Sequence, residues 1–144
     1  MSNSLSENTR KSLFRSLAAV ENNKLPITIA MTGSLAAAEA EGGSLDRSET
    51  IVVILLEMLV EQAKHLIEGR DVQDLEAQAR RHRQYGIAGR HYSRFGDALV
   101  PVLRDVLGPN LPRGFASAWC DAFWFVIRSI NQHEQPQEAE LLRA

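Results

Sequence analysis

The feature that most constrains the fold is the segment 51–60, IVVILLEMLV, which is apolar on nearly every side of a helix. A helix without a polar face has to be covered by other elements, so it belongs in the middle of the fold. Apolar residues recur at helical spacing along the rest of the chain, and no segment alternates apolar and polar residues as a strand would. The sequence therefore predicts an all-α fold built around one central helix.

Capping residues and breaks at glycine, proline and asparagine divide this pattern into about six helices. Ser4 followed by Glu7, and Asp46 followed by Glu49, have the spacing of a helix N-cap and its partner. Asp71 predicts the start of a further helix in the same way. The predicted helices run over about 4–22, 26–40, 46–68, 71–85, 89–107 and 112–134, with Pro26 and Pro112 in first turns and Pro101 inside the fifth helix.

Length and composition fit one soluble domain. The chain has 144 residues, a net charge of −2 and 44% hydrophobic residues, so neither nucleic acid nor an anionic membrane is favoured as a partner. The longest apolar run, 51–56, is far shorter than the roughly 20 residues that span a bilayer. We expect a single domain over 1–144 with a frayed tail at 135–144, located in the cytoplasm, and leave open whether it forms a homodimer.

His82 is the histidine that falls on a largely apolar helix face. Its neighbours at helical spacing are Leu75, Gln78, Ala79 and Tyr85. From spacing alone, a core histidine bonded to a backbone carbonyl is the more common explanation, and a metal ligand is the alternative. The spacing does not decide between the two.

A longer pattern surrounds this histidine. It comprises ARRHRQYGI at 79–87, HYSRFGDAL at 91–99, Leu-Gly at 107–108 and AWCDAF at 118–123. In the order and spacing of its histidine, tyrosine, glycine and tryptophan, the chain resembles the bacterial single-domain globins and the globin domain of flavohaemoglobins over about residues 50–134. The resemblance implies a globin-like fold of six to seven helices that binds haem b.

The resemblance also implies roles on the proximal side of a haem. His82 would ligate the iron through one imidazole nitrogen. Tyr92, ten residues after His82, and Glu134, fifteen residues after Trp119, match the partners that orient the proximal histidine in flavohaemoglobins. Arg80, Arg81 and Arg83 form a small cluster that would contact the haem carboxylates, or would simply be a solvated basic face.

The first 50 residues match the family less well. Leu45 lies at the position where the family has a phenylalanine that packs against the haem. Thr50 lies at the position of the family's distal glutamine, and Ile54 follows one helical turn later. Thr32 takes the place of a distal tyrosine. Threonine is a shorter and weaker donor than tyrosine or glutamine, so we expect such a pocket to hold oxygen weakly. Fast nitric-oxide dioxygenation is therefore not expected.

These observations lead to one functional prediction and two alternatives. The prediction is a haem globin that binds oxygen, nitric oxide or carbon monoxide for sensing, redox signalling or gas binding. The first alternative is a haem-free globin-fold sensor or protein-interaction domain, which the weak distal match favours. The second is an enzyme acting on nitric oxide or peroxide, which would need an external reductase. We do not expect the protein to be an enzyme, but its residues leave enzymatic activity open.

Overall fold

The computed structural model describes the backbone of residues 5–39 and 44–143, and the side chains of these residues except 110 and 134–143. The described chain forms six α-helices and one short 3-10 turn, without a strand. This confirms the predicted all-α, globin-like fold of about six helices. The helices are α1 (Glu7–Asn22), α2 (Lys24–Ala38), α3 (Leu45–Ile67), α4 (Leu75–Gln84), α5 (Gly89–Leu107) and α6 (Phe115–Arg143), and the 3-10 turn is Gly108–Asn110.

Helix α3 lies at the centre, as the apolar run predicts. Nearly every residue of 51–60 is buried, and Glu57 is the exposed exception. Helices α1, α2 and α6 pack against α3, while α5 packs against α2 and α6. Helix α4 packs closely against α6 and is not closely packed on α3, so a cleft separates α3 from α4.

The close approach of α5 to α6 depends on a glycine. Gly96 lies against the indole of Trp124, and a Cβ at this position would come within 2.7 Å of the ring. Atoms that close overlap, so any larger residue would push the two helices apart. Trp119, also on α6, donates a hydrogen bond to the Ser16 hydroxyl at 2.8 Å and ties α6 to α1.

Two predicted N-caps are wrong in position. The first helix begins at Glu7, because the Ser6 hydroxyl accepts a hydrogen bond from the Thr9 amide at 3.1 Å. Ser4, the predicted cap, lies outside the described residues. Helix α3 is capped by Ser44, whose hydroxyl accepts from the Arg47 amide at 3.3 Å, so Asp46 lies within the first turn. In both cases a serine two residues from the predicted cap, after Ser4 and before Asp46, supplies the acceptor.

Two predicted helix starts are wrong by three or four residues. The last helix begins at Phe115 rather than Pro112, because Gly114 has a positive φ of 85° that a continuous helix does not allow. Helix α4 begins at Leu75 rather than Asp71. The backbone of α6 continues to Arg143, and the fraying expected at 135–144 stays a prediction.

The late start of α4 has a cause outside the local sequence. The side chain of Gln62, on α3, is buried and bonds both backbone groups of Gln73. Its Nε2 donates to the Gln73 carbonyl at 2.9 Å, and its Oε1 accepts from the Gln73 amide at 2.8 Å. A residue whose amide and carbonyl are both engaged in this way cannot use them for helix bonds. Gln62 therefore ties the α3–α4 connection to α3, and the helix begins only after Asp74, whose backbone has a positive φ of 56°.

We expect Gln62→Ala to lower the free energy of unfolding by about 2 kcal/mol, because both backbone groups of Gln73 lose their partner. Chemical denaturation measures this difference. Gln84→Ala, an exposed glutamine at the end of α4, is the matched control and should change stability by less than about 0.5 kcal/mol. Equal effects of the two substitutions would contradict the role given to Gln62.

Within the described residues, no helix is long and apolar enough to cross a membrane.

Candidate functional site

His82 lies near the end of α4, and its side chain is buried. Only 2% of the residue is exposed. The imidazole Nδ1 lies 2.8 Å from the Tyr92 hydroxyl, and the two ring centroids are 5.7 Å apart. The predicted contact between His82 and Tyr92 is therefore present, with Tyr92 reaching back from α5.

The turn between α4 and α5 produces this contact. Helix α4 ends at Gln84, and Gly86 adopts a positive φ of 67°, which glycine accommodates without strain. The Ile87 amide then donates to the His82 carbonyl at 2.9 Å and closes the turn. Because α5 starts at Gly89, Tyr92 falls in its first turn and faces back towards α4.

The second imidazole nitrogen has a different environment. His82 Nε2 is buried and has no hydrogen-bond partner within the part of the chain that the structure describes. Burial, with a smaller contribution from the positive charge of Arg81, lowers the pKa of His82 from 6.5 to about 4. The imidazole is therefore neutral near pH 7, the form in which histidine binds a metal.

A cleft opens between α3 and α4, next to the residues that flank His82 in the sequence. It has a volume of about 440 Å³. Thr50, Val53 and Ile54 of α3 line one side. Arg81 of α4 and Tyr85, the residue after α4, line the other. His82 does not line the cleft, because its side chain is covered.

The charges at the edge of this cleft are partly balanced. Arg81 lies 3.8 Å from a carboxylate oxygen of Glu57 on α3, and both side chains are about half exposed. An exposed pair of this kind contributes little stability, so the guanidinium remains available to another anion. Asp46 and Glu49 add negative charge at the α3 N-terminal side of the cleft.

The predicted distal residues are only partly brought together. Ile54 is buried and lines the cleft, as does Thr50, whose hydroxyl donates to the Asp46 carbonyl of its own helix at 3.0 Å. Leu45 is 62% exposed at the start of α3 and is not among the residues lining the cleft. The buried Thr32 hydroxyl on α2 has no hydrogen-bond partner among the described residues.

Glu134 belongs to α6, but its side chain lies outside the described residues. Its predicted contact with Tyr92 or His82 therefore stays a prediction.

Sequence reasoning missed His91, which is as buried as His82. Its Nδ1 accepts a hydrogen bond from the Ala88 amide at 2.9 Å and so caps the first turn of α5. The signal in the sequence is a polar residue three positions after the residue that precedes the helix, Ala88, which is the spacing of a capping residue. His91 stabilises the turn that places Tyr92 against His82.

The described residues contain no group of three or more histidine, cysteine, aspartate or glutamate side chains placed to hold a metal ion. Comparison with known protein families and with characterised proteins found no match for this chain. The function proposed below rests on the geometry of the site and on the sequence pattern.

Proposed function

We propose that this protein is a haem-binding globin that takes up a diatomic gas for sensing, redox signalling or gas binding, with His82 as the iron ligand. The observation that carries the proposal is the state of the two imidazole nitrogens. Nδ1 is held by Tyr92, whereas the buried Nε2 has no partner among the described residues. Haem supplies the iron and its in-plane nitrogen ligands, so one protein histidine is enough to complete the proximal side.

Three histidines, His65, His82 and His133, have a buried ring nitrogen without a hydrogen-bond partner among the described residues, and of these only His82 is itself fully buried. A buried polar atom without a hydrogen bond lowers stability by roughly 1–3 kcal/mol, and most buried polar atoms have a partner. In the tautomer with its proton on Nδ1, His82 donates to the Tyr92 hydroxyl, and the Nε2 lone pair stays free. This tautomer is the one that a metal ligand needs, and the bond to Tyr92 orients the ring.

The surroundings also suit a large flat ligand with charged edges. The cleft volume of about 440 Å³ lies within the roughly 300–1,000 Å³ common for cofactor sites. Val53 and Ile54 give its α3 side an apolar surface, and Arg81 places a cation at its edge. We propose that the porphyrin occupies this cleft and that Arg81 pairs with a haem carboxylate.

The predicted distal residues are expected to bind polar gas ligands weakly. The Thr50 hydroxyl already donates within its own helix, which leaves it no proton for a bound gas. A missing hydrogen bond of roughly 1–3 kcal/mol corresponds to about 5- to 150-fold faster dissociation. We therefore expect the haem-loaded protein to release oxygen quickly and to autoxidise rapidly, as stopped-flow spectroscopy would measure. Slow release, typical of tyrosine–glutamine pockets, would contradict this distal assignment.

A haem-free globin-fold sensor or interaction domain remains the second candidate. One observation favours it, namely that His82 is covered and separated from the cleft. Haem could reach Nε2 only if side chains of α3 and α4 moved apart. Any activity on nitric oxide or peroxide would in addition require an external reductase.

Titration of the purified protein with haem tests the main proposal. We expect a Soret band that saturates at one haem per chain, with the spectrum of histidine-ligated iron. If no Soret shift appears while the protein stays folded by circular dichroism, the haem-free candidate is favoured instead.

A further inference from the structure

A second cavity lies on the other side of α3. It is formed where the end of α2 meets the first turns of α3 and α5, and its volume is about 170 Å³. Leu35 and Ile51 form its apolar wall, and Ser48 and His91, both buried, lie at its inner side. The cavity is polar on one side and apolar on the other, as in a site for a small polar ligand.

The charges lining this cavity are mainly positive. Arg47, Arg90 and Arg94 face it together with a single carboxylate, that of Glu39, among its described lining residues. Glu39 is engaged by Arg94 at 2.6 Å. Arg47 and Arg90 form no ion pair with another residue in the described part of the chain. Two guanidinium groups from different helices therefore have no ion-pair partner among the described residues.

The positive charges of these arginines also act on His91, which lines the cavity. Burial lowers its pKa most, and the charges of Arg90 and Arg47 lower it further, while Glu39 acts in the opposite direction. Two helices also begin at this cavity, α3 after Ser44 and α5 at Gly89, and their amino ends add partial positive charge.

Ser48 supplies a neutral donor at the same place. It is 6% exposed, and its hydroxyl makes no hydrogen bond within the described residues. A hydroxyl without a hydrogen-bond partner among the described residues, beside two arginines without an ion pair there, is free to donate to an acceptor in the cavity.

We propose that this cavity binds a phosphate group through Arg47, Arg90 and the Ser48 hydroxyl. Arginine matches the oxygen geometry of phosphate with two parallel hydrogen bonds, so two arginines and a hydroxyl can engage several of its oxygens. At about 170 Å³ the cavity holds the volume of only about six waters at roughly 30 Å³ each, enough for one phosphate group and too little for a whole nucleotide.

The phosphate site is separate from the cleft beside His82. Arg47, Ser48 and Ile51 of α3 line this cavity, whereas Thr50, Val53 and Ile54 line the cleft, and the two share no lining residue. Phosphate binding therefore does not depend on haem, and either proposal can fail alone.

Isothermal titration calorimetry with inorganic phosphate tests the site, with chloride at matched ionic strength as the reference. We expect Arg47→Gln and Arg90→Gln each to weaken phosphate binding about tenfold, because each removes charge-assisted hydrogen bonds. Arg104→Gln makes the same charge change on an exposed residue at the far end of α5 and should leave binding unchanged. Glu39→Gln should strengthen binding, because it removes the competing carboxylate.

These outcomes separate a built site from general charge attraction. Equal losses in Arg104→Gln and Arg90→Gln, or no binding of phosphate to the wild type, would overturn the proposal. Weaker binding in Glu39→Gln would also overturn it, provided circular dichroism shows the fold intact. Displacement of phosphate by haem would show that this is not a separate site. Tighter binding of a small phosphate monoester than of inorganic phosphate would support the site and identify a phosphorylated metabolite as its source.

Discussion

Replacing His82 with alanine is expected to weaken haem retention by at least about 100-fold. Changes to residues that merely support a metal ligand cost about 10- to 100-fold in affinity, and removal of the ligand itself should cost more. Haem that still enters the apolar cleft would lack histidine ligation, so its spectrum should also change. Absorbance titration and haem transfer to a competing acceptor measure both effects.

The matched control is His65→Ala. His65 lies on α3, is only partly exposed and approaches Glu61 at 3.8 Å, and its Nδ1 is also buried without a hydrogen-bond partner among the described residues. Its loss should leave haem binding intact, because His65 does not line the cleft between α3 and α4. A second variant, His82→Gly, guards against a general effect on the site, because added imidazole can occupy the vacated space and restore the spectrum. Retention of the wild-type spectrum in His82→Ala would reject His82 as the ligand.

Acid is expected to destabilise the haem-free protein through the same residue. The pKa of His82 is about 4 in the folded protein and 6.5 for an ordinary histidine, so as pH falls the unfolded chain takes up the proton first. The stabilisation is complete above pH 6.5 and is lost as pH falls through about 4. A difference of this size corresponds to about 3 kcal/mol, of which about 2 kcal/mol is lost between pH 7 and pH 5.

Denaturant unfolding at the two pH values measures this loss, and His82→Gln separates it from other titrating groups. Glutamine does not titrate, so the variant should lose about 2 kcal/mol less than the wild type between pH 7 and pH 5. His91 also has a lowered pKa and contributes in the same direction, but equally in both proteins. Parallel stability profiles for the two proteins would contradict the assignment.

The parts of the fold that follow from local pattern are predictable from the sequence. The run 51–60 predicts a buried central helix because it has no polar face, and α3 is that helix. The family resemblance predicts a contact between His82 and Tyr92, ten residues later, and a short turn between their helices allows it. The 2.8 Å distance between His82 Nδ1 and the Tyr92 hydroxyl confirms that contact.

The parts that depend on distant residues are not predictable in this way. The start of α4 is delayed by Gln62, eleven residues before the backbone groups that it bonds. The phosphate cavity combines residues of α2, α3 and α5, and its charge becomes evident only when Arg47 and Arg90 are brought together in space. Which polar atoms remain without a partner, as His82 Nε2 does, depends on the whole packing arrangement.

Helix α4 has little tertiary support compared with the helix that it faces. Among its ten residues only Ala79 and His82 are buried, and its close packing is against α6. A short helix held on one side opens locally at a much lower free energy than the whole domain unfolds. Such an opening exposes the covered imidazole while the α1–α3–α6 core stays protected from hydrogen exchange. We therefore expect a bulky ligand to reach His82 when α4 opens locally and moves away from α3, at a rate set by that helix rather than by the stability of the whole protein.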